Sequence, residues 1–352
     1  MVEIGLAFNL LLEGIVFFGI YVIFTLSLNF QYGYTGIFNL GLYLPILAGA
    51  LVVGYLPGRL AMMIYGVKGL DYVTDNSSIM VLLKGRLQND PLTSIGILIV
   101  TLIVAFTVCW LLGYVTGYPA LKLPADYMAL FMLCLAESLR IIGMQTMEIA
   151  GGPFGITTLN PFWWLGSLAY FGLMALIIGF TAMICLVYYV ICRSPFGRLM
   201  KSIRENGLTA ECVGKDVASI KRKVMALSFG VLGIGGVMHG LNLGVVIAYG
   251  YTRVDFSYWP WLMLVVGGSG NNLGVFLGTL ALVLMRQIMI NGKPIFQPFL
   301  PFDMLWLEPL LLAIMLMVTL VLRPQGIVPE KPSHVKAPNS EGGNLQSQKQ
   351  PA

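Results

Sequence analysis

The chain has 352 residues, of which 57% are hydrophobic and 11% charged, with a net charge of +5 and a mean hydropathy of +0.83. A soluble domain carries roughly 25% charged residues, so this composition excludes a water-soluble globular protein and indicates one that lives in a bilayer. The small basic excess is then a topology signal on loops, and nucleic acid is not an expected partner.

In chain order, apolar runs predict membrane helices near Phe8–Leu28, Ile37–Leu56, Thr93–Gly113, Asp126–Gly143 and Ser167–Ile191. Each meets or approaches the ~20 residues needed to cross a ~30 Å hydrocarbon core. Strand-like alternation is absent, which argues against a β-barrel. The first run, from Ile4 to Leu28, has no basic segment before it and exceeds a signal-peptide core, so it is expected to remain as a span. Arg193–Lys223 follows the fifth span with eight Lys or Arg against three acids, which places it in the cytoplasm. After it come Val224–Ile247, a stretch from Trp259 to Met289 interrupted by "GGSGNN", and Met304–Leu322.

The tail beyond Arg323 carries Lys331, Lys336 and Lys349 and should also be cytoplasmic, which requires an even number of spans after the basic segment. Breaking Trp259–Met289 at Gly267–Asn272 into a short and a full helix satisfies that parity. The expectation is an all-α polytopic membrane protein of about nine helices, its N-terminus outside and its C-terminus cytoplasmic. One membrane domain covers 1–328, with a cytoplasmic loop at 193–223, an external loop at 57–92, and a disordered tail over 329–352 that is rich in Pro, Ser, Gln and Lys.

The five cysteines form no CxxC pair and the two histidines, His239 and His334, lie far apart, so neither a disulfide framework nor a metal centre is expected. Two glycine-rich breaks stand out: Gly33, Gly36 and Gly41 at one span edge, and Gly267, Gly268, Gly270 and Gly274 at another. Irregular backbone at membrane depth must be buried in protein or line a wet cavity, because lipid cannot satisfy its amides. A translocation path or gate is one meaning and close helix packing through small residues is the other; Asn29, Asn39, Asn271 and Asn272 favour a polar lining. Glu13 lies inside the first run, and Glu137 and Arg140 stand three apart on one helical face where they can pair. They form either part of the pathway or a neutralised structural pair. Gly151, Gly152 and Gly155 define a tight external turn followed by Trp163 and Trp164, which suit a membrane interface.

Within the basic segment, "FGRLMKSIREN" sets Phe196, Leu199, Met200 and Ile203 on one side and Arg198, Lys201 and Arg204 on another. "LTAECVGKD" reads as a second short helix ended by Gly214. Two tethered amphipathic helices of this kind offer a surface that a soluble partner could grip, or one that lies on anionic headgroups.

"ALKLPADYMALFMLCLAESLRII", "GGPFGI", "SPFGRLMKSIRENGLTAECVGKDVASIKRK", "WLMLVVGGSGNNLGVFLGTLAL" and "LRPQGIV" resemble, in order and spacing, the permeases of branched-chain amino-acid ABC importers, and the LivM-type subunit more closely. "GYTGIFNLG" is similar to that family's amino-terminal glycine motif, with Asn39 where Ser is commoner. The resemblance spans roughly residues 20 to 328 and implies a type II ABC-importer-like permease bundle in a cell (plasma or inner) membrane. It implies three kinds of partner besides lipid: a second, LivH-type permease, two cytoplasmic ABC ATPases and an extracytoplasmic solute-binding protein. The family's ATPase-docking motif falls on Ala210, Glu211 and Gly214, preceded by Arg204 and Glu205 and followed by Lys215. The connection Pro57–Pro91 is longer than the family's usual one.

No GxxxxGK[ST] phosphate loop exists, and Gly214-Lys215-Asp216 lacks its flanking residues, so the subunit is expected to be non-catalytic and to bind no cofactor, with ATP and Mg used by partner ATPases. Alternatives are the same family carrying urea, amides, aromatic compounds or sugars, an ion-driven transporter using Glu13 or Glu137, or a membrane scaffold.

Overall fold

The computed structural model describes residues 2–67, 69–296, 307–323 and 325–330. Seven described helices are long and apolar enough to cross a membrane: Leu12–Gly33, Tyr43–Tyr65, Pro91–Ala120, Ala125–Gln145, Trp163–Arg193, Val217–Leu243 and Asn272–Asn291. They belong to helices α1 (Val2–Leu28, prolonged by a π turn Asn29–Gly33), α2 (Tyr43–Tyr65), α4 (Pro91–Ala120), α5 (Ala125–Gln145), α7 (Ala169–Arg193), α10 (Val217–Leu243) and α12 (Asn272–Phe296). Short helices α3 (Asn76–Leu87), α6 (Met147–Ala150), α8 (Pro195–Glu205), α9 (Gly207–Cys212), α11 (Trp259–Gly267) and α13 (Leu307–Leu322) complete the described set. Of the nine crossings counted from sequence, seven are full-length among the described residues; α11 and the described part of α13 are shorter than the ~20 residues a perpendicular span needs.

Helix α10 is the hub, enclosed by α1, α2 and α4, because its glycines let neighbouring backbones come close. A Cβ at Gly236 would stand 2.0 Å from the Ile46 carbonyl oxygen, and one at Gly49 2.1 Å from that of Gly233. In lipid, where burying apolar surface drives little association, this backbone proximity supplies the van der Waals contact that holds helices together.

Several sequence boundaries move. The second span starts at Tyr43 instead of Ile37 and runs through Pro57 to Tyr65, which shortens the expected external loop of 57–92. Asn39 explains the late start, since its Oδ1 accepts from the Gly41 amide at 2.9 Å and holds the chain out of helix. Pro57 is tolerated because the backbone it disturbs is satisfied from outside: the Tyr72 hydroxyl donates to the Gly54 carbonyl at 2.8 Å. Burial pushes that phenol up to about 12. What remains of the loop contains α3, whose Ile79, Met80, Leu83 and Leu87 pack with Ala61, Tyr72 and Trp163. The sixth span begins at Val217 rather than Val224, so Lys221, Arg222 and Lys223 sit in its first turns, with Asp216 capping it by accepting from the Ser219 amide at 2.9 Å.

The two ends of the bundle differ. At one end the α3 region, the turn after α5 and the segment after α10 join: Ile156–Thr157 (β1) pairs antiparallel with Val245–Val246 (β2), the Thr157 amide donates to Asn76 Oδ1 at 3.0 Å, and Arg59 donates to the Glu148 carbonyl at 2.9 Å. The other end collects α8, α9 and both glycine breaks.

Candidate functional site

The break between α11 and α12 lies where the sequence indicated, with Gly268 at φ +107° and Gly270 at φ +83°. The break after α1 meets it. Asn29, fully buried, accepts from the Gly270 amide at 2.9 Å and donates to Asn272 Oδ1 at 2.8 Å. Gly33 touches the same place, for a Cβ there would lie 2.6 Å from the Gly270 nitrogen. Gly267 and Gly274 are in mutual backbone contact, each with a built Cβ 2.4 Å from the other's carbonyl oxygen. Gly41 instead accommodates α5, 2.2 Å from the Met132 carbonyl oxygen by the same measure. These glycines bring neighbouring backbones into close contact, and Asn29 beside them is engaged within the bundle.

Asn39 belongs to a second buried chain. Its Nδ2 donates to Gln31 Oε1 at 3.0 Å, Gln31 donates to Ser228 Oγ at 2.8 Å, and Ser228 donates to the Ser27 carbonyl at 2.8 Å. The Asn39 carbonyl accepts from Trp261 Nε1 at 2.9 Å, and Trp261 sits edge-on to Tyr32 and Phe38. The re-entrant segment between α1 and α2 is thus held by side-chain amides doing what helical backbone bonds would otherwise do.

The basic segment forms the two helices its periodicity indicated. Gly197, Met200 and Ile203 of α8 are buried. Asn206 caps α9 by accepting from the Thr209 amide at 3.1 Å, and Gly214, at φ +78°, ends it with its amide on the Glu211 carbonyl at 2.8 Å. The residues singled out there divide. Arg204 turns into the bundle, where it donates to the Gly33 carbonyl and passes 3.2 Å from a Cβ built on Gly36. Ala210 packs with Ile203 and Val217. Glu205, Glu211, Gly214 and Lys215 face out, as do Leu208 and Val213, which are 77% and 72% exposed.

Glu137 and Arg140 pair with each other. Arg140 donates to Glu137 Oε1 through Nε at 3.0 Å and through a second nitrogen, while the Tyr43 hydroxyl donates to Glu137 Oε2 at 2.9 Å. Glu137 is twelve residues into α5, about 18 Å from its start. Glu13 is exposed and twenty residues before Gly33, about 30 Å away. The helix begins at Val2, so Glu13 lies eleven residues inside it.

A second pair was not anticipated. Arg286, fourteen residues into α12 and so about 21 Å deep, donates to Asp255 Oδ1 at 2.5 Å and to the Tyr21 hydroxyl. Thr252 Oγ1 donates to the other Asp255 oxygen at 2.6 Å. An arginine in a mostly apolar helix is costly enough to demand a partner, and that demand is the signal that could have found Asp255.

At the opposite end, Gly151, Gly152 and Gly155 all have positive φ, and Gly155 abuts Val246, so the expected tight turn anchors β1 against β2.

Residues 10–320 match the family described as "Branched-chain amino acid transport system / permease component". The chain is 33% identical over 321 residues to the probable branched-chain amino acid transport permease protein LivM of Methanocaldococcus jannaschii, covering 90% of this chain and 93% of that one. It is 26% identical over 252 residues to the high-affinity branched-chain amino acid transport system permease protein LivM of Escherichia coli K12, covering 64% of this chain and 56% of that one. No solved structure matches the chain.

Proposed function

Because the chain belongs to the permease family of branched-chain amino acid transport systems, we propose that it is the membrane-spanning subunit of an ATP-driven importer of branched-chain amino acids. It is a multi-pass membrane protein with the basic α8–α9 loop and the C-terminus in the cytoplasm and the N-terminus outside. ATP and Mg are handled by two partner ATPases and not by this subunit, which is non-catalytic and binds no cofactor. A second, related permease completes the membrane part, and a solute-binding protein docks at the end built from α3, the Gly151–Gly155 turn and the β1–β2 pair.

The observation that carries this function is the outward face of α9. Leu208 and Val213 project beside Glu211 and Lys215, while α8 is packed into the bundle. An apolar pair ringed by charges on a rigidly tethered helix suits a protein partner, with the apolar residues as anchors and the charges as rim. A partner that holds this helix differently in two of its own states shifts the permease between its states, because only differential contact moves an equilibrium. The path is assigned to the side of the bundle bearing Glu137, Arg140 and the re-entrant segment at Asn39–Gly41, with Asn29 and the Gly33–Gly270 contact at its inner end.

The test is ATP-driven uptake into proteoliposomes holding the complete transporter. Glu211→Arg with Gly214→Val is expected to lower ATPase co-purification and uptake by about tenfold, equivalent to roughly 1.4 kcal/mol. Unchanged co-purification and uptake would sink the docking role.

A further inference from the structure

Residues 325–330 form a strap across the cytoplasmic end. The Ile327 amide donates to the Val266 carbonyl at 2.8 Å and the Val328 amide to that of Gly267 at 3.1 Å, so the strap pairs with the last turn of α11. Gly326, at φ +75°, lies against Gly268, where a Cβ would come within 2.5 Å of Gly268 Cα. Asn271 Nδ2 donates to the Pro329 carbonyl at 3.4 Å. Pro329 and Glu330, assigned from sequence to a disordered tail, thus belong to the folded permease; residues 331–352 lie outside the described residues.

Glu330 ends this strap between two cations of α8. Its Oε1 is 2.6 Å from Lys201 Nζ and its Oε2 2.7 Å from Arg204 Nη2. Arg204 uses its other terminal nitrogen on the Gly33 carbonyl, and a Cβ on Gly270 would sit 2.6 Å from Glu330 Oε2 and 3.0 Å from Arg204 Nη1. One carboxylate and one guanidinium therefore join four segments: the coupling helix α8, the break after α1, the break before α12, and the strap on α11. Tyr34 lies beside the junction, with the Lys201 ammonium 5.1 Å from its ring centre, and burial holds its hydroxyl above the ordinary range.

Given the importer function proposed above, we propose that Glu330 is a positioning residue for energy coupling: with Arg204 it transmits movement of the α8–α9 loop to both glycine breaks. Charge-assisted hydrogen bonds from a carboxylate to two cations are directional and short, so they resist the shear that a packed apolar contact would allow. The carboxylate, Lys201 and Arg204 keep 24%, 30% and 25% of their side-chain surface exposed, so the junction is not required for burying the core.

The experiment uses proteoliposomes containing the complete transporter and measures uptake and ATP hydrolysis together. Glu330→Gln is expected to leave ATPase association and ATP hydrolysis unchanged while uptake per ATP falls about tenfold, which corresponds to roughly 1.4 kcal/mol. Glu330→Asp, which keeps the charge on a shorter arm, should recover at least half of that loss. An unchanged ratio in Glu330→Gln overturns the proposal, as does loss of ATPase association in proportion to uptake, which would make Glu330 a docking or folding residue. Equal damage by Asp and Gln overturns it too, since charge would not be the operative property. Absence of ATP-driven uptake in the unaltered transporter would instead refute the importer function, a result read before any variant is compared.

Discussion

Replacing Gly33 by alanine tests whether the two glycine breaks are in contact. The new Cβ would stand 2.0 Å from Asn29 Oδ1 and 2.6 Å from the Gly270 nitrogen, both well inside van der Waals distance. Asn29 would have to rotate away, and in doing so it would release the Gly270 amide and the Asn272 side chain, now held at 2.9 and 2.8 Å. Overpacking of this kind costs about 1–3 kcal/mol and each lost hydrogen bond inside a membrane bundle about 0.6–1 kcal/mol, so the expected destabilisation is roughly 2–5 kcal/mol. The control is Gly85→Ala in α3, where nothing lies within 4 Å of the built Cβ. There the helix-favouring change should be worth about 0.5–1 kcal/mol in the stabilising direction. Thermal unfolding of both variants in the same nanodisc, alongside ATP-driven uptake, gives the comparison. If Gly33→Ala unfolds no earlier than Gly85→Ala, the breaks are not packed against each other and the linkage through Arg204 loses its footing.

Other perturbations probe the paired charges and the outer end. Asp255→Asn removes the carboxylate facing Arg286 and should destabilise by about 2–3 kcal/mol in thermal unfolding, less than for a fully enclosed pair because the two side chains are 29% and 19% exposed. Arg140→Met leaves Glu137 with Tyr43 but without its cation; uptake should fall severalfold, with ATPase association unchanged in the same preparation. Tyr72→Phe takes away the donor that satisfies Gly54 near Pro57, and a loss of about 1 kcal/mol is expected from chemical denaturation. A stability equal to that of the unaltered protein would mean that water replaces the phenol at that kink.

Particular elements show how much could be read before folding. The α11–α12 interruption at Gly267–Asn272 was legible because clustered glycines and asparagines suppress helix locally, and parity demanded a break there. The α8–α9 pair was equally legible, since the periodicity and the Gly214 stop act within a few residues; the Asn206 cap on α9 emerged only from the structure. The start of α2 was not, because Asn39 holds the chain out of helix partly through Gln31 and Ser228, the latter 189 residues further on. The same holds for Pro57, which reads as a span end until Tyr72 arrives to satisfy the Gly54 carbonyl.

Composition and local pattern by themselves determined that this is an α-helical membrane protein, roughly where its helices lie, and which basic loop carries the two short amphipathic helices, because a bilayer penalises every exposed backbone amide and charge residue by residue. Only the tertiary structure decided that Arg204 faces inward while Glu211 faces out, that Asp255 belongs to Arg286, and that Glu330 closes on Lys201 and Arg204. Those outcomes depend on which helices approach closely enough to share a hydrogen bond. Backbone contacts at Gly33, Gly236 and Gly270 set that distance, and no short window of sequence contains both partners.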